Sequence, residues 1–146
     1  MTSLVTPPVE LGTALQTALA NEHAAVYGYG VLAVRLTGPQ RDAARAAYDT
    51  HRARRDVLIP LIEARQDRPN AAAPAYALPF PVTTAADATR LAAQLEERLG
   101  AGYADLVQAA AGDTRRTGLE WLTDAAVRAV RWRGTSVAFP GLPERG

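Results

Sequence analysis

Glu22 and His51 are the side chains in this chain best suited to chemistry, because each interrupts an apolar stripe of helical spacing. The first stripe runs Leu11, Leu15, Leu19, Glu22, Val26, Ala33; the second runs Ala44, Tyr48, His51, Arg55, Leu58, Ile62. Titratable groups on a core face need partners, since an unpaired buried charge is strongly destabilising. A carboxylate, an imidazole and a guanidinium one turn further on suit two chemistries. Glu22 and His51 could hold a metal ion, with His23 or Glu96 completing the set. Alternatively they form a buried ion pair in which Arg55 supplies the positive charge that a metal would supply. The spacing of His51 and Arg55 favours the second reading.

These residues must be positioned by helices. Pro7 and Pro8 precede a helical pattern over about 9–36, which stops at Thr37-Gly38-Pro39. Pro39 suits the first turn of a second helix, over about 39–67, which Pro60 should disturb. Residues 68–83 hold Pro69, Pro74, Pro79 and Pro81 without a helical period. About 15 extended residues at roughly 3.3 Å each can cross a bundle of helices some 40 Å long. Thr84 with Asp87 reads as a capping box opening a third helix over 84–111, and Asp113 can cap a fourth over 113–134. A tail, 135–146, follows. The sequence thus predicts one all-α domain, 1–146, an up-down four-helix bundle with one long Pro-rich crossover between helices 2 and 3. No internal repeat between the halves is evident.

Counting outward from the turn at Gly38 places Glu22 and His51 within about 3 to 5 Å of the same height. Counting from Thr84 brings Glu96 to that height on the third helix. The expected buried polar layer is Glu22, His23, His51 and Arg55, with Arg52, Glu96 and Arg128 at its edges. A di-iron bundle needs Glu-x-x-His pairs on two helices, and none is present: Tyr48 stands three before His51, Ala20 three before His23. The fourth helix offers Ala125, Ala126 and Ala129 where ligands should project.

With Glu22-His23-Ala-Ala-Val-Tyr27-Gly-Tyr29, His51-Arg52-Ala-Arg54-Arg55-Asp56, Tyr76-Ala-Leu-Pro79-Phe80-Pro81 and Trp132-Arg133, the chain resembles an actinobacterial ferritin-like domain of unknown function. The resemblance covers about Leu11 to Pro140. It implies a ferritin-like four-helix bundle without an established activity, in which Glu22, His51 and Glu96 fall on metal-ligand positions.

Composition narrows the function classes. The 146 residues include no cysteine, which removes thiol nucleophiles and thiolate-bound metals, and a net charge of +1 with interleaved acids gives no phosphate-binding stripe. All basic residues are arginine. Arg52-Ala-Arg54-Arg55 and Arg115-Arg116 read as solvated faces balanced by Asp49, Asp56 and Asp113. No apolar run reaches the length of a membrane span and the N-terminus has no signal-peptide pattern, so a cytoplasmic location is expected. Tyr27, Tyr29, Tyr48 and Tyr103 are expected as core fillers whose hydroxyls bond buried charges rather than as redox groups. Trp121 and Trp132 share one side of the fourth helix, away from Leu119, Ala126 and Val130. That second apolar side predicts a cover, either the tail at Phe139 or a partner subunit in a homodimer. The functional expectation is a structural or interaction module with no catalytic residues, no cofactor and no nucleic-acid partner. The alternative is a metal-binding or oxidoreductase-type protein with iron or manganese on Glu22, His51 and Glu96.

Overall fold

The computed structural model describes residues 8–134, which form an all-helical bundle of four helices without a strand among the described residues. α1 spans Leu11–Leu32 and tightens into a 3-10 turn, Ala33–Arg35. The chain then reverses into α2, Gly38–Glu63, with Gly38 at φ 57° and Pro39 in the first turn. A left-handed φ at this position is what glycine supplies without strain. α2 passes through Pro60 and ends at Glu63, four residues short of the expected boundary. There the bonding shortens to Arg65 N–H on Ile62 O and Gln66 N–H on Glu63 O, and Gln66 turns left-handed at φ 62°. Pro60 removes one backbone donor from the last turn, and the helix unwinds within a turn of it.

α3, Ala85–Ala109, opens with the anticipated capping box: Asp87 N–H donates to Thr84 Oγ1, and the Asp87 carboxylate accepts from Thr84 N–H. α4, Gly112–Arg133, starts differently from expectation. Ala111 occupies the cap position without a side-chain bond, and Asp113 lies in the first turn, where its charge still complements the helix dipole.

Around the bundle the order is α2, α1, α3, α4, with close backbone packing of α1 on α2, α1 on α3 and α3 on α4. The crossover leaves the far end of α2 beside Gln16, whose side chain bonds Arg68 O and Asn70 N–H, and returns to place Val82 in a core cluster with Leu36 and Ala44.

The helices of the two halves start at a constant offset of 74 residues, although the halves show no sequence repeat. Leu11 and Ala85 open α1 and α3; Gly38 and Gly112, at φ 57° and 58°, open α2 and α4. Gly28 on α1 faces Leu95, and its counterpart Gly102 faces Asn21, the counterpart of Leu95. A Cβ at Gly28 would stand 2.6 Å from Leu95 Cδ1, and one at Gly102 2.7 Å from Asn21 Nδ2. These two glycines let α1 and α3 approach. The repeat is one of position rather than identity, which is why reading along the chain misses it.

Apolar clusters lie on both sides of a polar layer. Tyr29, Leu32, Leu36, Leu91 and Leu99 belong to one; Leu15, Leu19, Leu58, Ile62 and Leu106 belong to the other. The inner face of α2 is Ala44, Ala47, His51, Arg54, Leu58 and Ile62. It is therefore Ala47 and Arg54, not Tyr48 and Arg55, that face inward. α4 also faces otherwise than expected. Trp132 is 9% exposed, and Trp121 packs edge-on against Tyr103. Both indoles turn toward the core, and the apolar surface left outside is Leu119 and Val127, 54% and 43% exposed. The tail lies outside the described residues. No helix among those described is long and apolar enough to cross a membrane.

Candidate functional site

The polar layer is built on His51, which is fully buried and lies between two fully buried carboxylates. Its Nδ1 is 2.7 Å from Glu22 Oε2 and its Nε2 is 2.9 Å from Glu96 Oε1. A neutral imidazole carries one N–H, so contacts from both nitrogens to carboxylate oxygens place a second proton in this group. Burial pushes the imidazole pKa down, but the hydrogen bonds and charges of Glu22 and Glu96 outweigh it, and the net shift is upward. His51 thus bridges the two carboxyl groups through both ring nitrogens.

Each carboxylate also accepts from a tyrosine on the neighbouring helix. Tyr29 on α1 donates to Glu96 Oε1 on α3 at 2.6 Å, while Tyr103 on α3 donates to Glu22 Oε1 on α1. Burial first, and then the adjacent carboxylate, push both hydroxyls above the ordinary tyrosine range, so they stay protonated as donors. Their own oxygens accept in turn. Trp132 Nε1 donates to Tyr29 at 3.0 Å, and Arg54 donates to Tyr103 at 3.2 Å.

Arg54 continues the network to α4. Its second nitrogen donates to Asp124 Oδ2 at 2.6 Å, its guanidinium lies 5.5 Å from the Tyr103 ring centre and 5.3 Å from that of Trp121. Arg128 donates to the same Asp124 oxygen at 2.8 Å and to Thr50 at 3.3 Å. The Asp124 pKa is lowered: partial burial raises it, but the bonds from Arg128 and Arg54 prevail. The 74-residue repeat orders these parts as well. Glu22 pairs with Glu96, Tyr29 with Tyr103, Thr50 with Asp124, Arg54 with Arg128, and His51 with Ala125.

Of the residues singled out in sequence, Glu22, His51 and Glu96 come together. Arg128 reaches the edge of the layer. Arg55 does not enter it: its side chain is 27% exposed against 10% for Arg54, and it pairs with its neighbour Asp56 at 2.9 Å. Neighbouring residues on a helix differ by about 100°, and the large Tyr48 suggested the wrong phase. His23 is buried on another face, where Nε2 lies 3.0 Å from Asn70 O of the crossover. Arg52 is exposed over the Tyr48 ring. Asp124 and the specific roles of Tyr29, Tyr103 and Arg54 escaped the sequence reading. The signal that carries them is the doubled Glu-x6-Tyr spacing, at Glu22–Tyr29 and Glu96–Tyr103.

Among the described residues, no cluster of three or more His, Asp and Glu side chains has the arrangement of a metal site. The donor chemistry explains this. With Nδ1 engaged on Glu22, His51 offers a metal only Nε2, and Glu96 is the one carboxylate on that side. Two protein donors fall short of the three or four of zinc sites and far short of a dinuclear carboxylate centre. One atom stands apart: Glu96 Oε2 is buried and makes no hydrogen bond. It is the equivalent of the Glu22 oxygen that His51 Nδ1 contacts, and the residue that would reach it by the repeat is Ala125.

The sequence matches the family described as a domain of unknown function, DUF4439, over residues 14–144. A search of curated proteins finds no match. Among solved structures the chain is similar to that of a conserved hypothetical protein, Rv2844, from Mycobacterium tuberculosis. The two share 39% identity with a TM-score of 0.78, covering 83% of this chain and 92% of the other. The family match takes in all the residues of the polar layer, and on that extent the chain belongs to the DUF4439 family.

Proposed function

We propose that this chain is a non-catalytic helical module of ferritin-like type, in which a proton-sharing polar layer stands where ferritin-like bundles hold metal. The observation that supports this most directly is the engagement of both His51 nitrogens by carboxylates, with Tyr29, Tyr103 and Arg54 completing the network. Asp124, the acidic residue of α4 in this network, is tied to two arginines. Such a network fixes the register of four helices, because its bonds tie α1 to α2, α1 to α3, α2 to α3 and, through Arg54 and Asp124, α2 to α4. The module's contacts with partners, a homodimer among them, then fall on outer surfaces such as Leu119 and Val127 of α4.

The test is elemental analysis of protein purified without chelators and after incubation with excess iron(II) or manganese(II). Less than a tenth of an equivalent retained after desalting, about a tenfold preference for the metal-free form, is the expected result. Retention near one or two metals per chain would sink the proposal. A second reading, a mononuclear site on His51 and Glu96, draws on the unbonded Glu96 Oε2. It predicts metal retention that Glu96→Gln abolishes.

A further inference from the structure

The proline-rich crossover covers part of the bundle as well as joining α2 to α3. Between Tyr76 and Pro79 it roofs the furrow between α1 and α3 and encloses a cavity of about 120 Å³, floored by Leu91 and Leu95. The roof is held in place. The Tyr76 hydroxyl accepts from Ala73 N–H at 2.9 Å, its ring tilts against that of Tyr27 at 5.6 Å between centres, and Leu78 and Phe80 pack on the core cluster of Tyr29 and Leu91. The offset between the halves gives the cavity a counterpart, for Leu91, Gln94 and Leu95 correspond to Thr17, Ala20 and Asn21, which line a polar hollow with Asp67 and Asn70. Equivalent helix positions therefore do not dictate the apolar lining. It goes with the crossover above it, yet the crossover leaves the space open. Arg98 is the one charged residue of the lining and makes no ion pair among the described residues, whereas Glu97 beside it pairs with Arg133.

We propose that this cavity binds a small aromatic carboxylate, with the ring between Tyr27, Tyr76 and the two leucines and the carboxylate on Arg98. Its size suits one ring, since an apolar cavity of roughly 150 Å³ admits benzene. Two tyrosine rings in the wall favour a flat aromatic ligand over a branched aliphatic one, through edge and face contacts. A guanidinium matches a planar carboxylate with paired N–H bonds, and no acidic side chain lines the cavity to repel the anion. Gln94, one helical turn before Arg98, adds an amide donor at the same rim. A concave, mostly apolar site with a few polar groups that fix orientation is the usual form of a small-molecule site. Neither His51 nor the two buried glutamates line it. The site is thus separate from the polar layer, and its occupancy needs no metal.

Titration of the full chain with benzoate, followed through its leucine methyl resonances, tests the site. Benzoate is expected to shift Leu78, Leu91 and Leu95 saturably with a Kd of about 1 mM or lower. Benzyl alcohol, its neutral analogue, is expected to bind at least about tenfold more weakly, and Arg98→Gln to weaken benzoate by the same factor. Ala24→Leu fills the cavity from α1 and is expected to abolish the shifts. No saturable shift of these three leucines up to about 10 mM benzoate, ten times the weakest expected Kd, would overturn the proposal. So would equal binding of benzyl alcohol, or unchanged benzoate affinity in Arg98→Gln, since either removes the anion from recognition. Shifts confined to other leucines would overturn it as well, by placing the ligand elsewhere on the bundle.

Discussion

Tyr29 on α1 gives its proton to Glu96 on α3 across 2.6 Å, and the bond is answered in the opposite sense by Tyr103 and Glu22, each 74 residues from its counterpart. His51 lies between the two carboxylates. One imidazole therefore serves two equivalent half-sites, and the position equivalent to His51 is an alanine. The layer is nearly symmetric in its acceptors and asymmetric in its donors.

That asymmetry separates the two glutamates. Both Glu22 oxygens accept hydrogen bonds, whereas Glu96 uses Oε1 alone. Glu96→Gln can keep its engaged oxygen as a carbonyl and point the amide nitrogen at the unbonded site. Glu22→Gln must turn a donor toward Tyr103 or His51. In urea denaturation Glu22→Gln is expected to cost about 1–3 kcal/mol more than Glu96→Gln. Equal losses would show that Glu96 Oε2 is bonded in solution.

Arg54 and Arg55 are adjacent in sequence and unlike in setting. Arg54→Ala removes a buried cation from Tyr103, Trp121 and Asp124 and is expected to cost about 3 kcal/mol. Arg55→Ala gives up a surface pair with Asp56, worth about 0.2–1 kcal/mol. Similar melting temperatures for the two variants would place Arg54 outside the core.

Stability should fall as pH rises above about 6.5. The folded imidazole of His51 binds its proton more tightly than the unfolded one. Its contribution is complete below the unfolded value near 6.5 and is lost as pH climbs through the higher folded value, with a slope of at most about 1.4 kcal/mol per unit for one proton. His51→Gln should remove this slope while lowering stability throughout. Chemical denaturation at a series of pH values checks both, and an unchanged slope in the variant would assign it to another group.

The two tyrosines offer a test of coupling. Tyr29→Phe and Tyr103→Phe each remove a donor to a buried carboxylate, for about 1–3 kcal/mol apiece. Because both carboxylates share His51, the double variant is expected to depart from the sum of the single losses by more than about 0.5 kcal/mol. Strict additivity would indicate that the half-sites act independently.

Much of the architecture was legible in the residues themselves. Turn residues at Gly38-Pro39, the Thr84–Asp87 capping box and the proline-rich crossover set four helices and their order, because backbone conformation there depends on local chemistry. Counting from those turns also brought Glu22, His51 and Glu96 to one height, since helical rise is fixed per residue.

Rotation about each helix axis was decided by the tertiary structure. Ala47 and Tyr48, or Arg54 and Arg55, fit an apolar stripe almost equally well, and the alanine side wins where α2 packs against α1. In the same way Trp121 and Trp132 turn inward because they meet Tyr103 and Tyr29 there. Sequence alone determined which helices form and that Glu22, His51 and Glu96 share one level. Only packing decided which of two neighbouring side chains enters the core, because a 100° choice of helix phase is settled by the facing helix and leaves no mark on local propensity.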